Sequence, residues 1–226
     1  MRKKILCLSN IFVLVAAVFF APFVLAHSPH DVIFDVAVSP DYSNDKTAFI
    51  IVSNTLMLST NGGYRWKKLA NGLDHSSQLT SISISPAFRE DGIAVVTSEH
   101  DGVYRSEDRG RSWKKANTGL ATLKVQSVCF SPGFIEDHAL VLLDGDGRLF
   151  ISRDSARTWK PFFHDISEKI TRVVWLDDGL ENRLSFGTDD GSVMVVNDSG
   201  TVWGKIDGSD KCGPITAMAA SPRFKK

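Results

Sequence analysis

The side chains with most to offer chemically stand in four short phrases: STNGGYRW (59–66), SEDRGRSW (106–113), SRDSARTW (152–159) and VNDSGTVW (196–203). Each sets a carboxylate or its amide (Asn61, Asp108, Asp154, Asp198) five residues before a tryptophan (Trp66, Trp113, Trp159, Trp203). In the first three a hydroxyl precedes it by two residues: Ser59, Ser106 and Ser152. Acids so placed invite a reading as acid–base catalysts on a sugar. The same spacing also suits a tight turn. A short acidic side chain accepts hydrogen bonds from nearby backbone amides, and a glycine two residues on (Gly63, Gly110, Gly200) adopts backbone angles that other residues avoid. The tryptophan then buries a large ring between neighbouring sheets. Four of the five tryptophans in the chain share this register, and a feature repeated four times is architectural before it is catalytic. All fourteen residues therefore read as structural, and none as catalytic.

The elements carrying these phrases repeat as well. VAVSPDYSNDKTAFIIV, ISISPAFREDGIAVV and VCFSPGFIEDHALVLL are one phrase, with Pro40, Pro86 and Pro132 at intervals of 46 residues. Pro222 in SPRF continues the series two periods on, and VVWLDD fills the slot between. Within the second unit, TSISIS (80–85), GIAVVTS (92–98), GVYRS (102–106) and SWKKA (112–116) read as four short strands. Asp101-Gly102, Gly145-Asp146-Gly147 and Asp190-Gly191 are hairpin signals, and helical periodicity is missing throughout. Four strands in about 46 residues is the signature of a propeller blade. The expected fold is all-β: a β-propeller of four-stranded antiparallel blades over about 30–79, 80–125, 126–170 and 171–214, with the first strand of a fifth blade at 215–226. Stopping there, the chain reads as a truncated larger propeller. It alternatively completes itself by homo-oligomerisation, or braces a small four-bladed ring with the fifth strand.

Composition sets the outer bounds. Hydrophobic residues are 43% and charged residues 23%, which is globular, and 26 basic against 26 acidic side chains leave no field directed at nucleic acid. Residues 1–26 differ: Arg2, Lys3 and Lys4 precede an apolar run to Ala26, with Val24-Leu25-Ala26 at a signal-peptidase position. The segment is read as a signal peptide cleaved after Ala26, placing 27–226 in a secreted or periplasmic compartment. An uncleaved membrane anchor is the alternative, weakened by Ser9, Asn10 and Pro22. Cleavage would leave Cys129 and Cys212, which nothing in their spacing requires to pair.

The pattern Ser-x-Asp-x-Gly-x-Thr/Ser-Trp resembles the Asp box, or BNR repeat, of sialidases, sortilin-type receptors and photosystem II assembly factors. Residues 106–113 carry it intact; the others have Asn61 for the acid, Ala156 for the glycine and Val196 for the serine. The likeness covers about Val32 to Trp203 and implies a propeller whose boxes lie on the rim, away from the central cavity.

A sialidase-like centre would need a tyrosine nucleophile beside a glutamate, with three converging arginines. The tyrosines are Tyr42, Tyr64 and Tyr104; the last two sit in repeated hairpins and the first in a loop. Glu90-Asp91 and Glu136-Asp137 occupy equivalent places in two units and so read as architecture. Asp144, Asp146 and Asp154 hint at a calcium loop, but a turn explains the first two and no bidentate acid follows at EF-hand spacing. His27, made N-terminal by cleavage, with His30 close by, would offer copper a chelate, though a plain polar start accounts for both. No metal or cofactor is expected. Lys67, Lys68, Lys114, Lys115, Lys160 and Lys205 recur on each outermost strand. They are edge protection first and a basic rim for an anionic glycan or acidic partner second. The functional reading is an exported, non-catalytic module binding a protein or glycan, with an assembly role like that of the photosystem relatives. The alternative is an exo-acting glycosidase of the sialidase-like class, or a fragment of one.

Overall fold

The computed structural model describes residues 32–74, 76–162, 168–177, 182–197, 202–206 and 213–220. Residues 1–26, His27, His30, Asp198, Gly200, Cys212 and Pro222 lie outside them. The chain divides into Met1–His30 and Asp31–Lys226, and every described residue belongs to the second unit.

Four four-stranded antiparallel sheets follow one another, each with its strands in sequence order, and this is the propeller architecture. Blade 1 is β1 (Ile33–Val38), β2 (Ala48–Val52), β3 (Thr55–Ser59) and β4 (Lys67–Leu69). Blade 2 is β5 (Leu79–Ile84), β6 (Ala94–Ser98), β7 (Gly102–Ser106) and β8 (Lys114–Lys115). Blade 3 is β9 (Val125–Phe130), β10 (Leu140–Asp144), β11 (Leu149–Ser152) and β12 (Lys160–Pro161). Blade 4 is β13 (Ile170–Asp177), β14 (Asn182–Thr188), β15 (Val193–Asn197) and β16 (Val202–Ile206).

The inner strands β1, β5, β9 and β13 lie side by side, so successive blades pack face to face. Alternation along each strand sends neighbouring side chains to opposite faces. In β6, Ala94 and Val96 join Phe49, Ile51 and Leu56 of blade 1, while Val95 joins Val128, Phe130 and Leu142 of blade 3. Both faces of the middle blades are thus buried, which is why their central strands carry apolar residues almost continuously. A third cluster joins Val141, Leu143 and Ile151 of blade 3 to Trp175, Leu184 and Phe186 of blade 4. Cys129, a free thiol, packs against that cluster.

Two of the box tryptophans sit between blades. Trp113 and Trp159 are almost fully buried, each against the blade before its own. Their amides bond back to that blade, Trp113 to the Asn71 carbonyl (3.0 Å) and Trp159 to Thr118 (2.9 Å). This detour takes them out of the outer ladder, so β8 and β12 hold two residues each and are shorter than the repeat predicts. Trp66 is half-buried, Lys67, Lys68, Lys114, Lys115 and Lys160 are exposed on the outer strands, and the Trp203 and Lys205 side chains lie outside the described set.

One feature departs from the sequence expectation. Each SP phrase in blades 1–3 leads into a single helical turn: α1 (Tyr42–Asp45), α2 (Phe88–Asp91) and α3 (Phe134–Asp137). Four residues are too few to leave a periodic signal. The turns are held by a shared device. Ser39, Ser85 and Ser131 hydroxyls donate to Asp45, Asp91 and Asp137 at 2.5–2.6 Å. The same aspartates accept the amides of Thr47, Ile93 and Ala139 at 2.7–2.8 Å.

The two ends of the blade series differ from its middle. Ile215 and Thr216 lie beside β13 as β13 lies beside β9: Thr171 donates to the Ile215 carbonyl (2.7 Å) and Arg172 to that of Thr216 (2.7 Å), as Gln126 does to Thr171 (3.1 Å). At the other end, Phe34, Val36 and Val38 of β1 are 50–55% exposed. Their counterparts Ile82 and Val128, at the place of Val36, are buried against the preceding blade.

Candidate functional site

The described acids and amide of the boxes are each engaged in their own turn. Asp108 accepts the Ser106 hydroxyl (2.8 Å), the Ser112 amide (2.9 Å) and the Ser112 hydroxyl (2.5 Å), while Ser106 accepts the Gly110 amide (2.9 Å). Asp154 repeats this with Ser152, Thr158 and the Ala156 amide. Asn61 does so with Ser59 and the Arg65 amide. Burial works against the charged forms of Asp108 and Asp154. Hydrogen bonds from Ser112 and Ser106, or Thr158 and Ser152, together with backbone amides, outweigh it and hold both below the usual aspartate value. The turn needs two left-handed residues in a row, supplied by Gly62-Gly63, Arg109-Gly110 and Ser155-Ala156. Ala156 at φ +63° shows that glycine is not obligatory at its second position, contrary to the sequence reading.

The other sequence candidates are scattered. Tyr104 is buried beside the Ser77 hydroxyl, Tyr64 is 90% exposed at its turn, and Tyr42 opens α1. Asp144 accepts the amides of Asp146 (2.9 Å) and Arg148 (2.8 Å), making a turn and no calcium loop with Asp154. Among the described residues no group of three His, Cys, Asp or Glu is arranged to hold a metal ion, and no helix is long and apolar enough to cross a membrane. Burial pushes the Cys129 thiol up to about 12.

Two cavities differ in kind. One, of about 400 Å³, opens on the inner strands between Asp35, Ser81, Gln126 and Arg172. Asp35 is the one carboxylate lining it and already accepts the Ser81 hydroxyl and Ile82 amide, both at 2.8 Å. A catalytic carboxylate pair is therefore not among its lining residues.

The other, of about 420 Å³, lies on the outer rim where blade 2 meets the box turn of blade 3, among Arg105, Glu107, Lys114 and Arg157. Arg105 projects from β7 and is 9% exposed. Its Nε donates to the Ser155 carbonyl (2.5 Å) and its Nη1 to Glu107 (2.7 Å). Glu107 also receives Arg157 Nη2 (2.9 Å), so one carboxylate seats two guanidiniums. The Arg105 hydrogen bond is the main reason its pKa lies below the ordinary glutamate value. Arg105 Nη2 is buried with no hydrogen-bond partner. Similar cavities recur beside Leu58 in blade 1 (about 450 Å³) and Ile151 in blade 3 (about 390 Å³). Leu58, Arg105, Ile151 and Val195 share one place in the repeat, and the arginine alone is charged. The motifs alone pass over this residue, although setting TLMLS, GVYRS, LFIS and VMVV (ending at Val196) side by side exposes it.

No family model matches the sequence, and no curated protein matches it. Many solved structures match the fold. One, described as YCF48 bound to D1 peptide, aligns with a TM-score of 0.57 at 15% sequence identity, over 78% of this chain and 54% of that one. The chain thus spans about half the length of that structure. The likeness shows a β-propeller fold.

Proposed function

We propose that the chain is an exported, non-catalytic propeller module that binds a protein partner and serves assembly. One observation carries the reading: the box aspartates and the other aspartates of the repeat are held in the fold, while cations remain available on the rim. Asp35, Asp45, Asp91, Asp108, Asp137 and Asp154 all accept hydrogen bonds from their own repeats or the adjoining blade. Lys67, Lys68, Lys114, Lys160 and Arg157 stay open to solvent around the outer strands. The described relative supports a peptide ligand in that it is itself a propeller with a peptide bound. A protein is preferred to a glycan because the lining of the basic rim cavity holds no aromatic ring on which a sugar would stack. Pairing of two copies belongs to the same proposal, since Phe34, Val36 and Val38 offer the surface with which Ile82 and Ile84 hold blade 2 to blade 1.

The test is a parallel titration of the purified chain with a peptide panel and a glycan panel, alongside fluorogenic glycosides. Saturable peptide binding without turnover is the expected result. Hydrolysis abolished by Asp35→Asn would overturn the proposal in favour of a glycosidase.

A further inference from the structure

We infer that the rim cavity between blades 2 and 3 is a carboxylate-binding site in which Arg105 receives an acidic group of a peptide partner. The inference rests on the proposal that the chain binds a protein. The repeat supplies an internal control. Folding a blade asks only for an aliphatic residue at this place, and Leu58, Ile151 and Val195 meet that demand. Blade 2 instead buries a guanidinium and supports it from two sides, through the Ser155 carbonyl and the Glu107 carboxylate. A buried charge is retained against its desolvation cost when it is fully paired or has a ligand. Arg105 is not fully paired, because Nη2 lacks a partner.

The surroundings select the ligand. Arg157, seated by the same glutamate, Lys114 and Lys115 add three cations to the cavity, while Glu107 and Asp108 hold two negative charges in it. Lys115 is neutralised by Asp101 outside the lining (2.8 Å), and the remaining three cations against two anions leave room for one negative charge. A singly charged carboxylate fits that balance, whereas a doubly charged phosphate would meet the two fixed acids. The planar fork of an arginine matches a planar carboxylate, and Arg157 at the solvent edge completes the approach. The acidic group is either an Asp or Glu side chain or a free C-terminus. Both present the same carboxylate atoms to the cavity.

Three hexapeptides separate the sources: a glutamate-rich one with an amidated end, a neutral one with a free C-terminal carboxylate, and a neutral amidated one. Each is titrated into the ¹⁵N-labelled full chain while the arginine side-chain resonances are followed, with inorganic phosphate as a further arm. The expected result is a shift of the Arg105 guanidinium signals with one or both carboxylate peptides and none with the amidated neutral peptide. Arg105→Leu, which installs the residue of blade 1, should weaken that binding at least tenfold, about 1.4 kcal/mol, with no loss of melting temperature. Should Arg105→Leu fold poorly, Arg157→Ala on the exposed side serves instead, with a loss of about threefold or more expected. Unchanged peptide affinity in both variants would overturn the site but leave the binding proposal standing. A response to phosphate and to no carboxylate peptide would overturn the ligand assignment. Failure of every probe would count against both.

Discussion

A methyl group on Gly119 would sit 2.0 Å from the Trp159 carbonyl oxygen, and the backbone there has φ +89°. Gly72 stands in the same relation to Trp113, at 1.9 Å and φ +83°. Neither backbone oxygen can withdraw, because both tryptophans are wedged between blades. Gly119→Ala should therefore cost about 3 kcal/mol or more, read from urea unfolding. A cost below about 1 kcal/mol would show that the loop yields. The aspartates make a second prediction at this scale. Asp108 and Asp154 are held below their usual value by their hydrogen bonds, so their folded values lie below the unfolded ones. The stability they contribute is complete above about pH 4 and is lost as pH falls through the folded values. Asn61 makes comparable bonds without titrating. The variant D108N/D154N should consequently lose less stability than the natural chain between about pH 5 and about pH 2. Parallel losses in the two proteins would refute the assignment.

Within one blade, two devices hold the turns: the box between third and outer strands, and the serine–aspartate pair of the helical turn between first and second. The second device is legible in the sequence as SP followed by an acid, but its helix is not, since one turn has no period to detect. Asp91→Ala or Asp137→Ala removes the acceptor of a hydroxyl and an amide at once and should cost about 1–2 kcal/mol. The tryptophans grade by their neighbours rather than by their motif. Trp159→Ala should cost about 3–5 kcal/mol, being enclosed between blades. Trp66→Ala should cost less, about 1–2 kcal/mol, because its ring is only partly buried. Equal losses from the two substitutions would mean that the box itself, and not the blade-to-blade contact, sets the energy.

Across the whole molecule, one substitution placed twice probes the packing of blade on blade. Val128 and Val36 occupy the same place in blades 3 and 1, with 5% and 51% exposure. Val128→Ala should cost about 2 kcal/mol and Val36→Ala less than about 0.5 kcal/mol. A matching loss at Val36 would show that something covers the outward face of β1. The four blades and their inner strands follow from periods the sequence displays: apolar alternation every second residue, prolines at a constant interval, and one box tryptophan per unit. These signals survive because each is local and repeated. What was invisible depends on pairs of residues about 50 positions apart, such as Arg105 with Ser155 and Arg157 with Glu107. No spacing rule within a single repeat records such pairs. The amino-acid sequence by itself determined that this protein is a run of β-blades closed by hydrogen-bonded turns, because short-range geometry dictates both. Only the tertiary structure decided which of those turns meet, and it is there, where blade 3 closes over the arginine of blade 2, that the proposed binding site lies.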